Sequence, residues 1–433
     1  MQYIPNILFA LVLVSAIVFF TKNVKKLIRN IKLGRSVDRS DNPSERWKNM
    51  MRVALGQSKM VRRPVAGILH ILVYAGFIII NIEVLEIIID GLFGTHRIFS
   101  FLGPVYSFLI GAFEVLGFLV LLSVIVFWIR RMVLRIPRFW NKEMKGFPKN
   151  DALNILYFEM VLMLLFLIMN ATDVSFQQAN TGNVISGFIA PLFTGFEAET
   201  LHIIERAAWW LHIIGILIFL NYLYYSKHLH ILLAFPNTFY ANLSPKGKFN
   251  NLVSVTKEVK MMLDPNVDPF AAPAEPDSNE AAEKFGVEDV TDLTWVQLLN
   301  AYTCTECGRC SSVCPANQTG KELSPRAIMM KTRDRIEEVG KNIDKNGTFV
   351  ADGKSLLDTI TQEEIWACTS CNACVEECPV NIDPLSIIVD MRRFLVMEKS
   401  AAPQELNIMM TNIENNGAPW QYNQMDRLNW KDE

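Results

Sequence analysis

The sequence predicts two parts of different character, an all-α membrane bundle of five transmembrane helices and, after it, a mainly α-helical domain. The first 235 residues hold nearly all the long apolar runs of this 433-residue chain. The last 140 residues are polar and charged, and they contain all eight cysteines, in two runs of identical spacing. We therefore expect a membrane domain at 1–240, a linker at 241–290, a cysteine domain at 291–400 and a tail at 401–433.

Five apolar segments are long enough to cross a bilayer, which takes about 20 residues. They lie at 4–21, 64–90, 101–129, 153–173 and 203–235. The first segment is not typical of a signal peptide, because no basic region precedes it and no small-residue cleavage site follows it. Lysines come after it, at Lys22, Lys25 and Lys26, as expected of a helix that stays in the membrane.

The charge of the connecting loops predicts the orientation. The segments 22–63 and 130–149 are strongly basic, whereas 174–204 contains no Lys or Arg. Basic loops remain in the cytoplasm, so we expect the N-terminus outside and the cysteine domain on the cytoplasmic side of a bacterial inner membrane. The basic clusters flank apolar spans and the net charge is only −2, so no nucleic-acid partner is expected.

The two cysteine runs both read C-x2-C-x2-C-x3-C-P. This is the spacing of a ferredoxin with two [4Fe-4S] clusters, in which the fourth cysteine of each run ligates the other cluster. The first cluster is therefore assigned to Cys304, Cys307, Cys310 and Cys378. The second cluster is assigned to Cys368, Cys371, Cys374 and Cys314. Disulfides are disfavoured in a reducing compartment, and zinc sites use paired C-x2-C units with four ligands.

Helix signals surround these runs. Ser324-Pro325 and the residues after them predict a helix that starts with proline in its first turn, and a second helix is expected after Pro384. The expected fold class of this part is therefore a mainly α-helical two-[4Fe-4S] ferredoxin domain. The acidic, proline-rich stretch 264–284 predicts an extended tether. Trp420 and Trp430 indicate that the tail packs against another surface, and our hypothesis is that this surface belongs to a partner protein.

Four of the six histidines lie in or beside the spans, namely His70, His212, His228 and His230. In an electron-transfer protein such imidazoles indicate axial ligands of haem iron. If the fifth helix continues to Pro236, His212 and His230 share one face but lie roughly 27 Å apart, too far to ligate one iron. His70 and His230 would then lie at depths of about 10 Å and about 9 Å from the cytoplasmic edge and could clamp one haem.

Other assignments stay open. His212 is available for a second haem without an evident partner, and His70 with His212 is the rival pair if the span ends at Lys227. His228, rotated by about 160° from His212 on a continuous helix, is a ligand or an interface residue. His96 and His202 are expected to be ordinary loop residues. Glu83, Glu86 and Asp90 approach the outer end, where interfacial solvation is the default and a proton path from quinol is the alternative.

Two pairs of segments carry a family resemblance. RRPVAGILHILVYAGF and WWLHIIGILIFLNYLYYSKHLHILLAFPNTF resemble the membrane cytochrome b of heterodisulfide-reductase-type proteins, which is similar in turn to the gamma subunit of respiratory nitrate reductase. LTWVQLLNAYTCTECGRCSSVCP and CTSCNACVEECPVNIDPLSIIVDMRRFLV resemble the ferredoxin portion of iron–sulfur oxidoreductases of the same group. The resemblance implies haem b, quinone as substrate and a membrane-lipid environment.

The chain departs from that family in two places. The gamma subunit has two histidines ten residues apart in its second helix, whereas here Ile80 stands ten residues after His70. Larger relatives continue into a cysteine-rich catalytic domain, whereas no cysteine follows Cys378. The resemblance therefore implies one or two haems and a separate cytoplasmic cysteine-rich iron–sulfur partner.

The expected function is that of an electron-transfer subunit of a quinone-linked oxidoreductase. Electrons would pass between quinone or quinol, haem b and the two clusters, to or from the cytoplasmic partner. The alternative is a haem-free iron–sulfur redox sensor or membrane anchor. A b-type absorption band would separate the two.

Overall fold

The computed structural model describes residues 3–179, 181–266 and 284–432. The elements before the cysteine domain are α1 Ile4–Ile31, α2 Pro43–Met50, α3 Pro64–Phe93, α4 Pro104–Met132, α5 Phe147–Thr172, α6 Val174–Ala179, α7 Ser186–Ile189, α8 Ala198–Tyr222, α9 His230–Phe239 and α10 Val253–Leu263. The later helices are α11 Trp295–Thr303, α12 Arg309–Val313, α13 Pro315–Gln318, α14 Pro325–Asn346, α15 Gln362–Trp366, α16 Ala373–Glu377, α17 Pro384–Met397 and α18 Gln404–Asn416. Most of the tether expected at 264–284 lies outside the described residues.

Five helices are long and apolar enough to cross a membrane, as the sequence predicts. They are Ile4–Ile31, Pro64–Phe93, Pro104–Met132, Phe147–Thr172 and Ala198–Tyr225. Proline occupies the first turn of the first four, where its missing N–H is no loss and its fixed φ suits a helix. The first helix runs ten residues beyond the expected 4–21, because its basic end projects out of the apolar region.

Of the two ends considered for the fifth span, the continuous helix to Pro236 is wrong, and the span ends close to Lys227. Helix α8 ends at Tyr222, and two short 3-10 turns precede α9, in which Pro236 is internal. Ser226 is extended, at φ −108° and ψ 149°, and its side chain accepts a hydrogen bond from the backbone N–H of His228 at 3.0 Å. This serine caps a new turn, so the geometry inferred for a single helix through His212, His228 and His230 does not apply.

Small residues let the membrane helices approach closely. A Cβ at Gly76 of α3 would lie 2.4 Å from a methyl group of Val120 on α4, and one at Gly215 of α8 would lie 2.8 Å from Leu162 on α5. Helix interfaces in lipid depend on such close packing, because there is little hydrophobic drive between helices. Ile110, Phe166 and Ile213 are fully buried at the centre of this bundle.

The cysteine domain sits on one end of the bundle, where α1, α4 and α8 end and α3 and α5 begin. Helix α14 begins with Pro325, and the Ser324 side chain accepts from the N–H of Ala327, as the sequence predicts. The salt bridges across this interface include Lys26–Asp344, Arg62–Glu376, Arg63–Glu377 and Arg326–Glu143. The guanidinium of Arg326 is fully buried and also donates to the Arg138 carbonyl at 2.7 Å. The domain is therefore docked rigidly on the end that carries the basic loops.

Candidate metal centres

The two cysteine loops share one backbone conformation. The residue before the second cysteine is left-handed in each, with φ 52° at Glu306 and φ 55° at Ser370. The residue after that cysteine is left-handed too, with φ 70° at Gly308 and φ 59° at Asn372. Left-handed turns are uncommon outside glycine and asparagine. Here they bend the chain twice within seven residues, so that successive cysteines face one region.

Thiols from both runs line one cavity of about 350 Å³. The cysteines at its wall are Cys304, Cys307, Cys310, Cys374 and Cys378. The structure therefore brings the four cysteines assigned to the first cluster into one cavity, together with Cys374. Burial raises the pKa of the Cys378 thiol to about 11, and the neighbouring Cys307 thiol acts in the same direction. Thiols this crowded and buried ionise when cations compensate the charge, as in a bound iron cluster.

The remaining cysteines, Cys314, Cys368 and Cys371, lie near one another. Burial raises the pKa of the Cys368 thiol, and the nearby Cys314 and Cys371 thiols add to that rise. Cys314 is thus close to residues of the second run, as the crossed assignment requires. Cys371 is exposed, whereas Cys304, Cys314 and Cys378 are buried.

Among the described residues, no group of three or more His, Cys, Asp or Glu side chains closes around a single metal ion. A four-iron cube instead holds its thiolates across four corners. Backbone N–H groups point at two of the sulfurs, from Ile382 to Cys378 Sγ at 3.3 Å and from Ser370 to Cys368 Sγ at 3.4 Å. Such hydrogen bonds stabilise negative charge on cluster sulfur and raise the reduction potential.

His70 and His230 face each other, with ring centroids 6.4 Å apart. His230 Nδ1 donates to the Lys227 carbonyl at 3.1 Å, which leaves Nε2 free. His70 Nδ1 is buried and has no protein partner among the described residues. Two metal–nitrogen bonds of about 2 Å each, added to the distance from nitrogen to ring centre in both imidazoles, would give a centroid separation of about 6 Å. The residues present therefore fit a haem, and His70 and His230 would be the residues that hold its iron.

His212 and His228 have other surroundings. His212 is buried on α8, its Nδ1 donates to the Leu162 carbonyl at 3.0 Å, and its ring packs 6.1 Å from that of Phe166. The structure does not bring His70 or His230 to it. His228 lies beside His230, at 5.3 Å between ring centroids, and its Nε2 is 3.6 Å from Glu159 Oε1. The rotation of about 160° between His212 and His228 was expected only for a continuous helix, so it does not apply here.

The acidic residues near the end of the bundle that is remote from the cysteine domain are not solvated as expected. Glu83 is 3% exposed and Glu86 is 4% exposed. Glu86 accepts from Tyr106 Oη at 3.0 Å and from the Phe99 N–H at 2.9 Å. Both residues line a cavity of about 360 Å³ that also contains Arg97, so this end of the bundle holds a buried polar cluster.

Two charged residues of the first cysteine loop escaped the sequence analysis. Glu306 contacts Lys227, which follows the fifth span, and Arg309 donates to the carbonyls of Lys59 and Met60. The sequence does contain a signal for these two residues, because the second run has the uncharged Ser370 and Ala373 at the corresponding positions. Glu306 is only 3% exposed, and burial acts to raise its pKa. The ammonium of Lys227 and the guanidinium of Arg333 outweigh that effect and hold the pKa of the Glu306 carboxyl below its usual value.

Comparison with known proteins supports iron–sulfur clusters in the cysteine domain. Residues 300–382 match the family model of the 4Fe-4S dicluster domain. The chain is 30% identical to the probable iron-sulfur-binding oxidoreductase FadF of Bacillus subtilis (strain 168), over 99% of this chain and 61% of the relative. It is 25% identical to the EtfAB:quinone oxidoreductase of Syntrophomonas wolfei, over 99% of this chain and 59% of the relative.

A third relative covers a smaller part. The probable membrane-anchored ferredoxin of Chromohalobacter salexigens is 36% identical over 36% of this chain and 25% of its own length. No solved structure matches. The chain spans about three fifths of the length of the two curated relatives that it matches throughout. It is thus a membrane protein similar to iron–sulfur oxidoreductases along nearly its whole length, and its residues 300–382 carry a 4Fe-4S dicluster domain.

Proposed function

We propose that this chain is the membrane-bound electron-transfer subunit of a quinone-linked oxidoreductase. In this proposal electrons pass between quinone or quinol, one haem b and two [4Fe-4S] clusters, to or from a cytoplasmic partner. The observation that carries the proposal is the pair of facing imidazoles, His70 and His230, placed directly behind the first cysteine loop. A membrane-soluble two-electron carrier can pass its electrons one at a time to a water-side protein through such intermediate one-electron centres.

His70 and His230 are the residues that would hold the haem. The hydrogen bond from His230 Nδ1 to the Lys227 carbonyl fixes the tautomer and the ring orientation, as second-shell partners of metal-bound histidines do. The bound group would supply an iron that gains or loses one electron. His212 lacks a second imidazole opposite it, so the proposal contains one haem rather than two.

The cysteine sets of the proposal follow the crossed rule. Cys304, Cys307, Cys310 and Cys378 would hold the cluster next to the membrane part. The second set, Cys314, Cys368, Cys371 and Cys374, would hold the outer cluster. The exposed edge at Cys371 favours exchange with a separate protein at the second cluster, and a cysteine-rich iron–sulfur subunit is the proposed partner. The name of the Syntrophomonas wolfei relative supports quinone as the membrane-side substrate.

Spectroscopy and metal analysis of the purified protein test this function. A dithionite-reduced minus oxidised spectrum should show a b-type α-band, and about eight irons should be bound in clusters per chain. A short-chain quinol added to the oxidised protein in nanodiscs should reduce the haem, or a quinone should oxidise the reduced haem. Eight cluster irons without any α-band would instead favour the haem-free redox sensor or membrane anchor.

A further inference from the structure

The two cysteine loops provide an internal comparison. At the left-handed position before the second cysteine the first loop has Glu306 and the second has Ser370, with φ of 52° and 55°. Because serine suffices for this conformation, the loop itself does not require a glutamate. A second charged position is the residue before the third cysteine. The first loop has Arg309 there, and the second loop has the uncharged Ala373. The charges of the first loop therefore serve contacts outside it.

Glu306 connects the first loop to His230. Its carboxylate accepts from Lys227 Nζ and, at 2.8 Å, from Arg333. Lys227 is 8% exposed, and its Nζ also donates to the Pro148 carbonyl at 2.6 Å. The carbonyl of Lys227 accepts from His230 Nδ1 at 3.1 Å. One residue of the membrane part thus holds the cysteine loop with its side chain and an imidazole with its backbone.

Arg309 connects the same loop to His70. Its guanidinium is 3% exposed and donates to the carbonyls of Lys59 at 3.0 Å and Met60 at 3.3 Å. A Cβ at Gly67 would lie 2.6 Å from the Met60 carbonyl oxygen, so this turn rests directly on the backbone of α3. Gly67 lies one helical turn before His70. The second imidazole is therefore also tied to the first cysteine loop.

These contacts are poorly explained by stability alone. Desolvation of a buried ion pair offsets most of its Coulombic attraction, and apolar replacements are often neutral or stabilising. Buried ionic contacts can instead fix one geometry out of several. Lys227 with Glu306, and Arg309 with two carbonyls, would fix the geometry between the loop and each of the two imidazoles.

We infer that Glu306 and Arg309 are positioning residues that lock the first cysteine loop to His230 and His70, one residue to each imidazole. This inference rests on the proposed function. The two contacts set the distance over which one electron passes between the centre held by the loop and the haem held by the imidazoles. The donor is oxidised by one electron and the acceptor reduced by one, with no bond broken and no proton moved.

The test gives the first loop the residues that the second loop uses at the same positions, Glu306→Ser and Arg309→Ala. Lys227→Ala approaches the contact from the membrane side, and Glu322→Ser is the control because its pair with Lys142 is exposed. After rapid mixing with reductant, electron exchange between clusters and haem should slow about tenfold or more in the first three variants. Iron content and the α-band should stay at wild-type levels, and Lys227→Arg should restore the rate.

A double variant tests whether the two partners act through one contact. Glu306→Ser combined with Lys227→Ala should be no slower than either single variant, because partners of one contact are not additive. Wild-type exchange rates in fully loaded Glu306→Ser and Arg309→Ala would overturn the inference. So would loss of iron in Glu306→Ser with a normal rate in Lys227→Ala, which would show a role in the loop only. Absence of a b-type α-band from the wild-type protein would instead contradict the proposed function itself.

Discussion

Two imidazoles from different elements, His70 of α3 and His230 of α9, carry most of the chemistry proposed for the membrane part. Their rings face each other at 6.4 Å, although the chain between them includes three membrane spans. His212, which is equally apolar in its sequence surroundings, instead packs on Phe166. Burial alone therefore does not identify a ligand, and a facing partner with a free ring nitrogen is needed as well.

Replacing His70 or His230 by alanine should abolish the b-type α-band, because one axial ligand holds haem b far more weakly than two. The His212→Ala variant should keep the band, since no imidazole faces His212. Reduced minus oxidised spectra of the three purified variants measure this, with the exposed His202→Ala as the matched control. Loss of the band in His212→Ala alone would contradict the assignment.

The crossed ligand rule makes a separate prediction for the fourth cysteines. Cys378→Ser should remove the cluster of the first run, and Cys314→Ser that of the second, although each residue belongs to the opposite run. Bound iron should fall from about eight to about four per chain in either variant. The electron paramagnetic resonance spectrum of the remaining cluster should then be the same in Cys378→Ser as in Cys304→Ser. It should likewise be the same in Cys314→Ser as in Cys368→Ser. The reverse matching would refute the rule.

The sequence predicts the residue-scale picture unevenly, for physical reasons. Cysteine spacing limits which sulfurs can meet around a cube, and the structure brings Cys378 into one cavity with Cys304. The crossed ligand assignment itself stays a prediction. The facing of His70 and His230 was expected from depth, but on a continuous helix that the structure does not contain. Glu306 was not predicted at all, because a charged loop residue is exposed by default and its buried partner lies 79 positions away.

At the scale of elements, helix ends decide the architecture. The sequence predicts all five spans because apolar length is a local property. The break after Tyr222 was left open, because the polar residues Ser226, Lys227 and His228 are followed by a further apolar run that can continue a helix. Short helices such as α12 and α16 follow from the left-handed turns at Gly308 and Asn372, which spacing alone does not reveal.

The contact of the Met60 turn with α3 predicts an effect of Gly67→Ala. The new Cβ would lie 2.6 Å from the Met60 carbonyl oxygen and 3.0 Å from the Val61 Cα, both backbone atoms that must move. Overpacking of this kind costs about 1–3 kcal/mol of unfolding free energy. Thermal unfolding in detergent should show the loss, whereas Gly195→Ala, which meets no atom within 4 Å, should not. Equal midpoints for the two variants would refute the close contact.

A second element-scale prediction concerns the ion pairs that anchor α14. Hydrogen bonds from Arg335 hold the pKa of Asp352 at about 2, below its ordinary value of 3.8. A lowered folded-state pKa stabilises the protein above the ordinary value, and this stabilisation is lost as the pH falls from about 4 to about 2. Asp352→Asn should therefore unfold at a lower temperature than wild type at pH 7.

The same experiment at lower pH gives the sign of the effect. The difference between Asp352→Asn and wild type should shrink as the pH is lowered from 6 to 3, measured by rapid thermal scans. Glu338→Gln is the matched control, because Glu338 is 3.4 Å from the same guanidinium but half exposed. Its effect should be small throughout. A difference for Asp352→Asn that grows on acidification would contradict the assigned role.

For the whole molecule, charge and architecture agree. The basic loops 32–63 and 133–146 lie at the same end of the bundle as the cysteine domain. Most salt bridges between the two parts use a basic side chain of the membrane part, whereas Arg326–Glu143 has the opposite polarity. The sequence predicts that these loops share one side of the membrane, because strongly basic loops alternate along the chain with loops that have few or no basic residues. The docking of the domain on the bundle was not predictable, because it depends on contacts such as Arg326 with Glu143, which are 183 positions apart.

Reporter fusions test the orientation. Alkaline phosphatase, which is active only outside the cytoplasm, should be active when fused after Gly195 and inactive when fused after Trp140. A green fluorescent protein should give the opposite pattern at the same two positions. Activity of the phosphatase after Trp140 would invert the proposed topology.

The fully buried guanidinium of Arg326, clasped between Glu143 and the Arg138 carbonyl, limits what the cysteine domain can do during turnover. Proteins that carry electrons on a mobile, tethered domain must break and re-form the docking interface of that domain in every cycle. A domain anchored in this way stays in place. Under the proposed function, solvent viscosity should therefore slow only the arrival of a soluble partner, whereas electron transfer between the proposed clusters and haem should run at the same speed in water and in glycerol.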